Sequence, residues 1–119
     1  MILWIGVAVL GSVGALARFL LDGWISERSA RRLPVGTLLV NLSGALLLGL
    51  VTGLTLTGNA LLLVGAATIG SYTTFSTWMF ETHRLGEDGQ IAVAATNVLA
   101  SIVLGVAAAA LGRAIGGWL

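Results

Sequence analysis

Apolar residues run in four long blocks along the chain, and polar residues gather in short clusters between them. The blocks cover roughly residues 2–22, 34–55, 60–81 and 89–113. Each matches the length of about 20 apolar residues that carries a helix across a bilayer. Period-2 alternation is weak and every block is too long for a strand, which argues against a barrel. The pattern predicts an all-α integral membrane protein: one domain over residues 1–119 with four transmembrane helices. Pro34 suits the first turn of the second helix. The uncharged stretch "TLTGN" is short enough to close an antiparallel hairpin between the second and third.

Charge sharpens this picture. Only 9% of the residues are charged and 57% are hydrophobic, whereas a soluble domain carries about a quarter charged residues. Residues 33–80 and 89–112 hold no formal charge at all. "ALA" at 15–17 looks like a small-residue cleavage site, but a basic n-region is missing, so the first block is expected to be a span. Arg28, Arg31, Arg32 and Arg84 occupy the first and third loops, with Arg18 near the end of the first span; Arg113 stands on the opposite side. The positive-inside rule then places both charged loops in the cytoplasm and both termini outside. The absence of cysteine excludes disulfides, thiolate chemistry and Cys-type metal sites, and the lone His83 has no histidine partner. No Ser–His or carboxylate pair falls within a span, so an enzyme is not expected.

The 17 glycines read as packing residues, because small side chains let membrane helices approach closely. "GSVGA" at 11–15, Gly49 with Gly53 and Gly112 with Gly116 have the spacing for it. Four short spans make a thin bundle, so assembly with a second copy or a close relative is expected.

Polar side chains inside spans are costly, and their positions carry information. Thr37, Asn41 and Gly44 share one face of the second span, as do Asn97, Ser101 and Gly105 in the fourth. In the third, Ser71, Thr74, Thr77 and Glu81 line up, with Phe75 and Trp78 one turn apart. A single Ser or Thr in a span ordinarily bonds its own or a neighbouring helix, and for Asn41 that reading and an anion-donor reading stand level. Three stripes together, without a buried fixed cation, suit a small anion that must enter and leave quickly. Aromatic edges carry positive quadrupole density, so Phe75 set among hydroxyls can face such an anion. Gly70 followed by Ser71, Tyr72, Thr73 and Thr74 is where a helix would break, and freed carbonyls at such a break can hold a cation. Glu81 and His83 fall at the mouth, where a solvated loop is the stronger reading for His83.

Three segments, "GSVGALARF" (11–19), "GTLLVNLSG" (36–44) and "GSYTTFSTW" (70–78), resemble the signatures of the Fluc/CrcB fluoride channels, which read approximately GGxxGAxxRY, GTLxVNxxG and GGxTTFSTF. The resemblance covers nearly the whole chain. It implies a fluoride-selective channel in the cell (inner) membrane that exports fluoride passively and lowers cytoplasmic fluoride. It also implies pores at the interface of an antiparallel, dual-topology dimer, a third helix broken near Gly70–Thr74, and a structural Na⁺ at the dimer centre held by the carbonyls of Gly70 and Thr73. Phe75 would be the first ring of the pore's aromatic pair, and Trp78 would stand where a second phenylalanine is usual. Asn41 would donate to fluoride, while Thr37, Thr74, Ser76, Thr77, Ser101 and Glu81 would extend the polar track and Arg18 would sit at the vestibule. Ser71 in place of a glycine and Phe19 in place of a tyrosine are further departures.

The arginine bias favours one orientation, so the partner is either a second copy or an oppositely oriented homologue; lipid surrounds the assembly and no nucleic acid is expected. The alternatives are a proton-coupled small multidrug-type transporter, for which no acid precedes Asp22 in the first span, and a non-conducting subunit of a heterodimeric fluoride channel.

Overall fold

Each apolar block folds as a helix long and apolar enough to cross a bilayer: Ile2–Arg28, Val35–Gly53, Gly58–Glu87 and Ile91–Trp118. The protein is thus a multi-pass membrane protein, described in a computed structural model over residues 1–28 and 34–119. Arg31 and Arg32, assigned above to the first cytoplasmic loop, lie outside the described residues.

Helix α1 (Ile2–Arg28) and helix α2 (Val35–Gly53) are continuous. The third stretch is built from α3 (Gly58–Ala60), a π-helical segment over Leu61–Ile69, α4 (Gly70–Tyr72) and α5 (Ser76–Glu87). Helix α6 (Ile91–Trp118) closes the chain. Several ends differ from the expected ones. The first helix runs on to Arg28 instead of stopping near residue 22, the third to Glu87 and the fourth to Trp118. At 1.5 Å per residue the 27 residues of α1 span about 40 Å, more than the roughly 30 Å hydrocarbon core. Charged residues therefore continue the helix once it has left the lipid. On that overhang the Arg28 guanidinium lies 4.2 Å over the Trp24 ring, an aromatic–cation pair suited to the headgroup level.

The π-helical segment was not foreseen. The Gly70 N–H reaches back five residues to the Gly65 carbonyl, and Thr68 Oγ1 donates to the Leu63 carbonyl at 2.7 Å. Gly70 itself is helical, with φ −60° and ψ −39°. The backbone leaves helical geometry at Thr73, where φ is −79° and ψ 161°, and resumes it at Ser76. Within the stretch Gly70–Thr74, where a break was expected, Gly70 stays helical and the departure falls at Thr73.

Helix α2 sits centrally, packed along its length against α6 and also against α1. The third stretch changes partner along its course: Leu61–Ile69 and α4 lie on α1, whereas α5 lies on α6. Glycines set the tightest approaches. A methyl group at Gly49 would overlap the Ala109 carbonyl, and one at Gly112 would overlap the Leu46 carbonyl. Gly53 and Gly116 meet the backbone of Arg113 and Leu50 in the same way. Gly14 fits against the Thr68 carbonyl and Gly44 against the Thr73 side chain. Without Cβ atoms at these points the backbones come into direct contact, which is how helices gain packing energy in lipid.

Candidate functional site

The polar residues singled out in the sequence are distributed over three connected places around Thr74. The first is the interruption itself. Asn41, on α2, holds the Thr74 peptide from both sides: its Nδ2 donates to the Thr74 carbonyl at 2.8 Å, and its Oδ1 accepts from the Thr74 N–H at 2.8 Å. This bidentate bond accounts for one of the two Asn41 N–H donors, so the side chain acts first as an interhelical clamp. Thr74 in turn caps α5, its Oγ1 accepting from the Thr77 N–H at 3.2 Å. Beside the clamp, Ser43 Oγ and Tyr72 Oη are 2.8 Å apart, joining α2 to α4.

This clamp borders an open depression of about 350 Å³ whose lining includes Asn41, Gly70, Thr73, Thr74, Phe75 and Trp78. Phe75 is 69% exposed within the subunit, and its ring meets Trp78 edge to face, with centroids 5.6 Å apart and planes at 75°. The aromatic pair is therefore presented on an open face rather than packed into the bundle. The Trp78 indole N–H is buried and has no acceptor among the described residues. Ser76, the first residue of α5, is exposed next to Phe75.

On the other side of Thr74 lies a smaller cavity of about 170 Å³, lined by Arg18, Phe19, Asp22, Thr37, Val40, Thr74 and Thr77. Thr37 is only 2% exposed, and its Oγ1 donates to Glu81 Oε1 at 2.5 Å. Arg18 Nε is buried without an acceptor among the described residues, and the guanidinium brings positive charge to a cavity that also holds Asp22. Glu81 is thereby tied to α2 and is not a free loop residue, whereas His83 is solvated and pairs with Glu87 at 2.7 Å.

The third place is the contact of α5 with α6. Asn97 is fully buried and donates through Nδ2 to Thr82 Oγ1 at 2.8 Å, while Thr82 donates to the Trp78 carbonyl at 2.7 Å. Asn97 Oδ1 and Ser101 Oγ are buried without partners among the described residues. Ser101, one turn beyond Asn97 on α6, does not line either of the two cavities described above. Thr82 and Asp22 were not assigned site roles from the sequence. Asp22 is four residues beyond Arg18, and that spacing was the one available signal for its place in the cavity. Gly105, expected to continue the Asn97 stripe, has nothing packed against it.

The model of the family described as CrcB-like protein, Camphor Resistance (CrcB), matches residues 5–113. This chain belongs to the CrcB family. A relative from Mycolicibacterium paratuberculosis named fluoride-specific ion channel FluC 2 is 54% identical over 110 residues, covering 92% of this chain and 90% of the relative. Another FluC 2, from Mycobacterium tuberculosis strain H37Rv, is 53% identical over 111 residues, covering 93% and 88%. A protein named fluoride-specific ion channel FluC 1, from Symbiobacterium thermophilum, is 41% identical over 119 residues, covering 95% and 96%. The CrcB family is one of ion channels, not enzymes. In this CrcB chain all three resembling segments meet around Thr74: Arg18 and Phe19 at the smaller cavity, Thr37 at that cavity and Asn41 at the clamp, and the third-stretch residues at both.

Proposed function

We propose that this CrcB chain is one subunit of a fluoride-selective channel, exporting fluoride passively through pores at the interface of an antiparallel dimer. The observation that carries the reading is the exposed Phe75 ring, held edge to face on Trp78 and flanked by Asn41 and Thr74 at the interruption of an apolar span. An aromatic ring and polar groups left open there are suited to a partner subunit, with an anion passing between. Hydroxyl and amide donors replace part of a small anion's hydration shell without the permanent charge that would trap it. Ring edges add a weak positive field. The names of the relatives supply the ion: they are called fluoride-specific channels. An inside-negative membrane potential drives an anion outward by about 2.3 kcal/mol per charge per 100 mV, so no coupling residue is required.

In this reading Arg18 forms the vestibule; Thr37, Glu81, Thr77 and Thr74 lead inward from it; Asn41, Phe75, Trp78 and Ser76 line the narrow part, with Ser101 beyond. The interruption at Thr73–Phe75 is the break of the third helix, and the Gly70 and Thr73 carbonyls would hold a structural Na⁺ at the dimer centre. Their fit rests on position: both residues line the same open depression, and the Gly70 carbonyl keeps only a 3.4 Å contact with Thr73 Oγ1. A bound Na⁺ would supply positive charge that draws two carbonyl-rich breaks together.

The partner is a second copy or an oppositely oriented homologue. The numbered names FluC 1 and FluC 2 among the relatives, with the one-sided arginines, favour the second arrangement. The test is efflux from liposomes containing the purified chain. Fast fluoride efflux with little chloride efflux is expected. Equal chloride efflux overturns the selectivity, and a chain that neither dimerises nor conducts alone points to the heterodimer.

A further inference from the structure

The hydrogen bonds at the interruption have a feature that reaches beyond the placement of pore residues. In an unbroken helix the Gly70 carbonyl would accept from the N–H of Thr74, four residues on, and the Thr73 carbonyl from that of Thr77. Neither bond forms. The Thr74 N–H is taken by Asn41 Oδ1 at 2.8 Å, and the Thr77 N–H by Thr74 Oγ1 at 3.2 Å. Both substitutes are side chains, and each takes the donor that would otherwise satisfy one carbonyl. The diversion is held firmly on the Asn41 side, because its Nδ2 also grips the Thr74 carbonyl at 2.8 Å, which fixes the peptide plane. A carbonyl left without its helical donor inside a membrane must find another partner.

We infer that Asn41 and the Thr74 hydroxyl are positioning residues for a monovalent cation: by capturing the Thr74 and Thr77 amides they keep the Gly70 and Thr73 carbonyls free to ligate it. The inference rests on the cation reading above and deepens it. Neither side chain touches the ion; each acts through the carbonyl whose donor it removes. Asn41 therefore links two functions. Its second Nδ2 hydrogen serves the anion path while its Oδ1 maintains the cation site on the same peptide.

Outer partners that orient the ligands of a metal ion typically change its affinity by about 10- to 100-fold when removed. Two substitutions isolate the diverted donors. Asn41→Ala lets the Thr74 N–H return to Gly70, and Thr74→Val, close in shape, lets the Thr77 N–H return to Thr73.

The readout is the thermal midpoint of the purified full-length protein in detergent, titrated with NaCl against N-methylglucamine chloride, alongside fluoride efflux. The wild type is expected to gain stability with Na⁺. Asn41→Ala and Thr74→Val are expected to need about 10- to 100-fold more Na⁺ for half the gain. Two single variants that lower the baseline midpoint but leave the Na⁺ half-point unchanged would overturn the inference, since both side chains would then be merely structural. If Asn41→Ala does not fold, Thr74→Val decides: an unshifted Na⁺ half-point in that variant overturns the inference equally. A wild type without any Na⁺ response removes the cation reading itself and the inference with it. That failure differs visibly from one confined to the variants.

Discussion

The α2–α6 seam and the Thr73–Phe75 interruption lie close together in the bundle, yet their order comes from opposite sources. Along the seam nothing polar is exchanged between side chains; Gly49, Gly53, Gly112 and Gly116 let one backbone touch the other. At the interruption, positions are set by directed bonds from Asn41, Thr74, Ser43 and Tyr72. The seam is closed and specified by shape. The interruption is open on one side and specified by hydrogen bonds, as the proposed ion path requires. The contrast also explains why one bundle can be rigid and still present exposed polar groups at membrane depth.

Filling the seam gives the largest expected effect on stability. Gly112→Val puts side-chain carbon into the Leu46 carbonyl, and overpacking of this kind costs about 3 kcal/mol or more where backbone cannot yield. Loss of monodisperse protein on size exclusion is the expected outcome, with Gly105→Val, where nothing is packed, behaving as wild type. Equal tolerance at both positions would show that the seam is not specified by shape.

At the smaller cavity, Thr37→Val removes the donor to Glu81 and leaves a half-buried carboxyl oxygen without that partner, a loss of about 1 kcal/mol. A lowered thermal midpoint together with slower fluoride efflux is expected. Thr37→Ser, which keeps the hydroxyl, should restore both. A midpoint that falls while efflux is unchanged would confine the Thr37–Glu81 bond to a structural role.

The smallest effect is expected at the Ser43–Tyr72 bond. Tyr72→Phe should cost about 0.6 kcal/mol, the average for interhelical hydrogen bonds in lipid. Its thermal midpoint should drop slightly, with efflux retained. A collapse of either would mean that the interruption depends on this contact more than on Asn41.

The same contrast governs what could be read from the sequence. Spans and small-residue pairs are local signals: block length gives the helices, and Gly49/Gly53 and Gly112/Gly116 announce contact without naming the atoms met. Helix ends were less legible, because Glu27, Arg28 and Glu87 read as loop charges although a helix continues past the lipid. The partner of each polar group was not legible at all. Whether Asn41 meets an ion, another side chain or the Thr74 peptide depends on the rotation of α2 against the third stretch, which no spacing within α2 encodes. The same holds for Asn97, whose stripe on α6 pointed to a shared track but whose amide is engaged by Thr82. The π-helical turn at Leu61–Ile69 has no residue pattern that distinguishes it from an ordinary apolar helix.

The central claim is that the open face at Phe75, and not the closed seam, carries the ion. Fluoride efflux from liposomes with Phe75→Ile tests it most directly, because the ring is exposed and its replacement leaves the Asn41 clamp and the glycine contacts in place. The predicted result is protein that folds and assembles like the wild type while fluoride efflux is lost. Efflux at the wild-type rate from Phe75→Ile would contradict the account.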